Sequence, residues 1–483
     1  MLTKRSFLMS CITALLPKPS WGDVTLNKQS EHILISTQKS PFPPYWKECV
    51  GSGRAIQALR KEWLDDLKFI KQTCGFKSVR FHGLLNDEVG LCRDTCNGEY
   101  NLNYLYIDHI FDSIIDLGMK PFVEISFMPS PLRSGNDTIF WYKANTSPPK
   151  DPKEWSHLIK NLIEHLINRY GIYEIKSWKF EVWNEPNINF WSKDQRSYFL
   201  LFEETYKAIK SVNPDIAVGG PATAQMGWLS DFLTFCQQAN IRPDFLSSHV
   251  YDHDPQEKIF DKPVHYAFSE VIPKAIQYAK QKISASSRPN IPLYITEWTS
   301  QNPAYILKMI YECAGQIDIF SYWTFNTLIE ENGPVPGFNQ SYFGLLDFGS
   351  LPRPSFHAFF FLNKLSPNKL NTNSKSILAT EDEKGRILSV VWNYQDDDKT
   401  EKEYTITLTK TYSSVLITYY DPQTDPILTL WHKMGSPPSP THHEYNVLQN
   451  SSLSYSTFSY RLTRQNSFSF SLPPNAIAFI EIE

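Results

Sequence analysis

The chain has 483 residues and a formal net charge of −4, with 47 Lys and Arg against 51 Asp and Glu. That length supplies roughly two or three domains, or one large barrel with an appendage, and ample material for a core. The basic residues are dispersed, which excludes the electrostatic footprint of a nucleic-acid binder. Aromatic residues make up 14%, with 13 Trp and 25 Tyr, more than a core alone requires and suited to stacking on the apolar faces of sugars.

Residues 1–22 read as an export signal: Lys4 and Arg5 precede an apolar run from Ser6 to Leu16, and Ser20-Trp21-Gly22 offers a small-x-small cleavage site. Thr3-Lys4-Arg5-Ser6-Phe7-Leu8 resembles a twin-arginine signal with Lys for the first Arg, and Leu8-Met9-Ser10-Cys11 an imperfect lipoprotein box. The apolar run is too short to cross a bilayer and no later stretch is long enough, so the expectation is an exported, soluble protein, periplasmic or secreted. Beyond the signal, Cys49, Cys74, Cys92, Cys96, Cys236 and Cys313 are left. The turn-like Arg93-Asp94-Thr95 favours a local Cys92–Cys96 bridge, whereas Cys236, on an amphipathic stretch, reads as a buried free thiol. These residues lack Cys or His partners at ligand spacing, so neither zinc nor another cofactor is expected.

From about Cys49 to Leu365, short β-branched or aromatic runs alternate with longer amphipathic stretches in roughly eight units, the pattern of a (β/α)8 barrel. After a first run near Cys49 come Ser78 to His82, Pro121 to Phe127, Trp178 to Trp183, Ile216 to Gly220, Phe245 to Tyr251, Pro292 to Thr296 and Ile319 to Phe325. Between the third and fourth runs, Leu158, Leu162, Ile163, Leu166 and Ile167 fall at helical spacing. Past Leu365 the pattern turns to strands without helices, at Ile387 to Trp392, Tyr404 to Leu408, Val415 to Tyr420 and Ala476 to Glu481. The predicted organisation is a catalytic barrel over 23–365 and a β-sandwich over 366–483. The early run Glu31 to Ser36 is free to join the sandwich, because no barrel unit needs it. The Pro- and Ser-rich stretch Met434 to His443 reads as an exposed loop of the sandwich.

Two glutamates stand at strand ends, in Trp183-Asn184-Glu185-Pro186 and Ile295-Thr296-Glu297-Trp298. Paired carboxylates on one barrel face are the working parts of a retaining glycosidase, one protonated to release the leaving oxygen and one ionised to attack the anomeric carbon. The other candidates occupy the same rim: His82 after strand two, Asn184 beside Glu185, His249 and Tyr251 after strand six, and Trp323 in strand eight. Singly, each has an ordinary reading, a satisfied structural His or a core Trp. Their shared placement at the C-terminal ends of strands, where barrel active sites lie, is the stronger argument.

Cys49-Val50-Gly51-Ser52-Gly53, then Gly75 to Gly83, Gly118 to Pro129, Phe180 to Asn187, Ile295 to Trp298 and Ser321 to Phe325 resemble glycoside hydrolase family 39, which contains β-xylosidases and α-L-iduronidases. The likeness covers nearly the whole barrel. It implies a barrel followed by a β-sandwich, with Glu185 as acid/base and Glu297 as nucleophile. The chain departs from the family xylosidases after strand eight, where Asn326-Thr327 replaces Ser-Asp, although Glu330 and Glu331 follow.

The expected mechanism places the two carboxyls roughly 5 to 5.5 Å apart. Asn184 is expected to bind the sugar 2-hydroxyl, Tyr251 to hold Glu297 in line, His82 and His249 to bind hydroxyls, and Trp323 and Glu330 to contact the substrate. Between Trp323 and Arg353 there is no Lys or Arg, so the loop bearing Glu330 and Glu331 favours a neutral glycoside, such as a β-xyloside, over a uronide. Lys258 and Lys262 after strand six keep the uronide reading open. A noncatalytic sugar-binding barrel is the other class of reading; loss of either glutamate would favour it, and both are present.

Overall fold

The computed structural model describes residues 27–94, 100–396, 399–462 and 466–483. The expected signal and Cys96, with its bridge to Cys92, lie outside them. Cys49, Cys74, Cys236 and Cys313 are buried free thiols. No helix among the described residues is long and apolar enough to cross a membrane.

Eight parallel strands close into a barrel: Val50–Arg54, Ser78–His82, Lys120–Ile125, Lys179–Val182, Ala217–Thr223, Phe245–His249, Leu293–Trp298 and Ile319–Tyr322. Every strand is buried along almost its whole length, which is why the sequence shows near-continuous apolar runs rather than alternation. Phe122, Phe245, Tyr294 and Ile319 form an apolar layer inside the barrel base. Gly219 makes room for it, since a Cβ there would stand 2.3 Å from the Phe245 ring. The helix Pro152–Tyr170 shows how local chemistry sets the surrounding helices. Asp151 caps its start by accepting from Lys153 N, Trp155, Leu158, Ile159, Leu162, Ile163 and Leu166 form its buried stripe, and Gly171 at φ 82° ends it.

The remaining strands form one nine-stranded sheet, in the order 456–461, 414–420, 477–482, 387–392, 377–381, 368–372, 27–41, 400–408, 467–472. Ile33, Ile406 and Phe468 from one end share a core with Val415, Ile417 and Ile480 from the other, so the sheet folds over into the layers of a sandwich. The strand Asn27–Pro41 lies within it, parallel to Thr400–Leu408 and antiparallel to Asn368–Thr372. The last barrel helix, Pro354–Leu362, joins the two units by setting Phe361 5.9 Å from Phe479, ring centre to ring centre.

One expectation fails. The region past Leu365 is not free of helices: Pro426–Lys433 and His442–Ser451 are helical, and the stretch from Met434 to Thr441 joins them instead of looping out of the sheet. Ile427, Trp431 and Leu448 bury Phe338 and Leu351 between them, and Phe338 N donates to Pro438 O at 2.8 Å. This insertion braces the loop that follows barrel strand eight.

Candidate active site

Glu185 follows barrel strand four in a sharply turned backbone. Trp183 and Glu185 both have positive φ, 73° and 45°, a conformation that costs a non-glycine residue about 1–3 kcal/mol and persists where the surroundings enforce it. Here Glu185 N donates to Ala222 O at 2.8 Å, and Asn187 clamps Ala224, accepting from its N at 2.8 Å and donating to its O at 2.9 Å. The turn thereby lifts the Glu185 side chain onto the barrel rim.

Glu297 ends strand seven and is held at both oxygens. Oε1 accepts from Arg80 Nη1 at 2.8 Å, and Oε2 accepts from the Tyr251 hydroxyl at 2.9 Å. Single oxygen atoms of Glu185 and Glu297 and a ring nitrogen of His249 all lie within 4.8 Å of one another. The expected Tyr251 contact is therefore present, and the two carboxyls stand at one point.

The two acids have different surroundings. Burial pushes Glu185 up to about 7 against the opposing charges of His82 and Arg80. Among the described residues it has no direct cationic partner; its hydrogen-bonded neighbour is His249 Nδ1, at 2.9 Å, and burial drops that imidazole to about 4, so it is neutral at pH 7. The fully buried Arg80 sits against Glu297, Glu124 (2.8 Å) and Glu181 (2.5 Å), and Nη2 also donates to Asn184 Oδ1 at 3.0 Å. Burial would lower the Arg80 pKa, but the charges of Glu181, Glu124 and Glu297 hold it above its ordinary value.

The other candidates meet here, with one exception. His82 Nε2 stands 3.7 Å from Glu297 Oε1, and its ring centre lies 4.6 Å from that of Trp323. Gly51 is required below Trp323, because a Cβ would come within 2.5 Å of the indole. Glu330 is occupied elsewhere: Oε1 accepts from Arg60 Nη1 at 2.7 Å and Oε2 from Arg54 Nη1 at 2.7 Å. Burial would raise Glu330, but the two arginines hold it below the usual carboxylate range, so its charge is compensated and cannot repel a uronide as expected. Glu331 is the acid of this loop that belongs to the site. Burial lifts it to about 7 against the opposing charge of His82, and Glu297 and Glu185 add to the rise.

Arg80, Glu124 and Glu181 escaped sequence reasoning, whereas Glu331 was read with Glu330 as an acid disfavouring a uronide. The three carried a signal: a charge inside Val79-Arg80-Phe81, Val123-Glu124-Ile125 or Phe180-Glu181-Val182 is buried only if paired. Asn326 now has a structural account. Nδ2 donates to the buried Asp66 at 3.0 Å, and Ser350 Oγ donates to the other Asp66 oxygen at 2.7 Å, tying the loop after strand eight to the first barrel helix.

Comparison with known proteins settles the family, since the profile of the Glycosyl hydrolases family 39 matches residues 32–456. The chain belongs to glycoside hydrolase family 39. It is 37% identical to a β-xylosidase of Geobacillus stearothermophilus over 93% of this chain and 94% of that protein, and 32% identical to one of Caldicellulosiruptor saccharolyticus over 91% and 95%. The crystal structure of a monomeric β-xylosidase from Caulobacter crescentus superposes with a TM-score of 0.84 at 27% identity, covering 94% of this chain and 99% of that one. Human α-L-iduronidase is 25% identical over 36% of this chain and 27% of its own length. This family 39 chain is a glycosidase.

Proposed function

We propose that the protein is a retaining β-xylosidase that works through a covalent glycosyl-enzyme on Glu297. The observation that carries the mechanism is the pair of carboxyls with one oxygen of each within 4.8 Å in unlike surroundings, the close spacing of a retaining pair rather than the wider one of an inverting pair. Glu185, raised to about 7, holds the proton that the departing oxygen needs. Glu297, fixed by Arg80 and Tyr251, attacks the anomeric carbon; its bond to the sugar forms as the glycosidic bond breaks and the Glu185 proton passes to the leaving oxygen. Esterification removes the charge on Glu297, so Arg80 loses one of its anionic partners and acts more strongly on Glu185, favouring the carboxylate. Glu185 then takes a proton from water, whose oxygen displaces Glu297 from the sugar. Asn184, oriented by Arg80, is the candidate for the 2-hydroxyl, a contact that strengthens as the oxocarbenium character grows. His82, His249 and Trp323 line the same subsite.

A neutral pentoside is supported by the two full-length β-xylosidase relatives and by Glu331, a further acid that interacts with both Glu185 and Glu297. The test is a panel of nitrophenyl glycosides: kcat/KM for β-xyloside should exceed that for α-L-iduronide by at least about tenfold, the rate equivalent of roughly 1.4 kcal/mol. The reverse order would sink the assignment.

A further inference from the structure

Glu124, on barrel strand three, is fully buried and takes no part in the reaction steps above. Its Oε2 accepts from His82 Nδ1 at 2.7 Å and from Arg80 Nη2 at 2.8 Å, while Oε1 accepts from the Ser126 hydroxyl. Burial would raise its pKa, but His82 and Arg80 hold it below the ordinary value, so it is an anion that can only accept. The contact therefore obliges His82 to carry a proton on Nδ1. The other nitrogen, 3.7 Å from the Glu297 carboxylate, decides what His82 offers the sugar: with a proton it donates, without one it accepts.

We propose that Glu124 is a positioning residue that keeps His82 doubly protonated, so that Nε2 is a fixed donor to a hydroxyl of the bound sugar throughout the cycle. This rests on the reading that the sugar lies between Glu185 and Glu297. The charged and titratable groups around His82 are Glu124 on strand three, Glu297 on strand seven, Glu185 after strand four, Glu331 after strand eight, Arg80 on its own strand and the neutral His249 on strand six. Glu185 and Glu331 hold protons for part of the time near neutrality, which leaves Glu124 and Glu297 as the two standing anions. Esterification then removes the charge on Glu297, while Glu185, having given its proton to the leaving oxygen, is charged only until it takes one from water. Glu124 is the anion that stays on His82 through both steps. Without it, the second proton on His82 would depend on whichever of Glu297 and Glu185 is charged, and Nε2 would not remain a donor from step to step.

The test uses the full-length enzyme and the variants Glu124→Gln and Glu124→Asp. In nitrogen-15 NMR of the free parent, His82 should keep its second proton above the ordinary imidazole value of about 6.5, and in Glu124→Gln it should titrate at or below that value. With nitrophenyl β-xyloside, KM of Glu124→Gln at pH 7.5 should rise by about tenfold, the size expected for one lost hydrogen bond to a charged donor. It should fall back towards the parent value at pH 5.5, where His82 regains its proton, while kcat moves less. Glu124→Asp keeps the charge and should keep His82 cationic. A neutral His82 in the parent at pH 7 would overturn the proposal, as would an equal loss in kcat and KM at every pH. If Glu124→Gln does not fold, the parent titration and Glu124→Asp decide. The NMR result needs no substrate, so it stands apart from the xyloside assignment.

Discussion

Two carboxyls less than 5 Å apart at their nearest oxygens are set to opposite tasks by what touches them. On the Glu297 side the barrel supplies a guanidinium, a phenol and, slightly further off, an imidazole. On the Glu185 side it supplies burial and a neutral imidazole. The difference is not one of depth, since both acids are buried; it lies in which barrel strands send a cation. Strand two aims Arg80 at Glu297 on strand seven and at Glu181 within strand four, whereas Glu185, beyond the end of strand four, receives no cation directly. One acid is therefore held by a cation in direct contact, while burial without such a contact keeps the proton on the other.

The sharpest way to break this contrast is to remove its ionised half. Glu297→Ala should lower turnover of every substrate by roughly 10⁴-fold or more, and mass spectrometry should find a fluorosugar inactivator on Glu297 of the parent. A label on another carboxylate would reverse the roles. Removing the protonated half should discriminate between substrates. Glu185→Ala should slow cleavage of alkyl or sugar aglycones by on the order of 10² to 10⁴, and slow glycosylation by an activated aryl glycoside far less, with azide restoring the second step as a β-glycosyl azide. If both aglycones slow equally in the pre-steady state and azide rescues neither, Glu185 is not the acid/base.

Smaller changes sharpen the contrast. Tyr251→Phe deletes one hydrogen bond to a charged oxygen, worth about 1.5–3 kcal/mol, so kcat/KM should fall by roughly 10- to 150-fold with Glu297 still labelled. An unchanged rate would leave Arg80 as the sole holder of the nucleophile. The mildest test is pH. Glu185 donates only when protonated, so parent kcat/KM should be present below about pH 7 and lost as pH rises through it, by about tenfold per unit. That limb should vanish for an aryl substrate in Glu185→Ala; a limb that survives belongs to another group, with Glu331 the first to try.

The barrel was legible because its strands are continuous apolar runs in regular alternation with amphipathic stretches, and both glutamates could be read from their places at strand ends. Residues whose meaning lies in distant partners were not. Glu330 looked like a substrate contact because it follows strand eight. Its partners, Arg54 and Arg60, come from 276 and 270 residues away, and adjacency in sequence carries no trace of them. Arg80, Glu124 and Glu181 were hidden by the opposite habit of treating a single charge in an apolar strand as noise. The helices Pro426–Lys433 and His442–Ser451 did announce themselves, the first by Asp425-Pro426 and the second by the capping box Thr441 to Glu444. Both are short, and the strands on either side set the expectation for the region.

The strand Asn27–Pro41 has a consequence for how the protein is made. Its parallel neighbour begins at Thr400, paired with Asn27, so on the ribosome the strand emerges long before any partner exists. At about 5–20 residues per second, it waits roughly 20 to 70 seconds with its backbone unpaired while the whole barrel is synthesised. Only when the chain near 368–408 has emerged can the strand slot between its two neighbours. Lys28, Glu31, His32 and Lys39, spread along it, are what a nascent strand needs in that interval to avoid pairing with another chain.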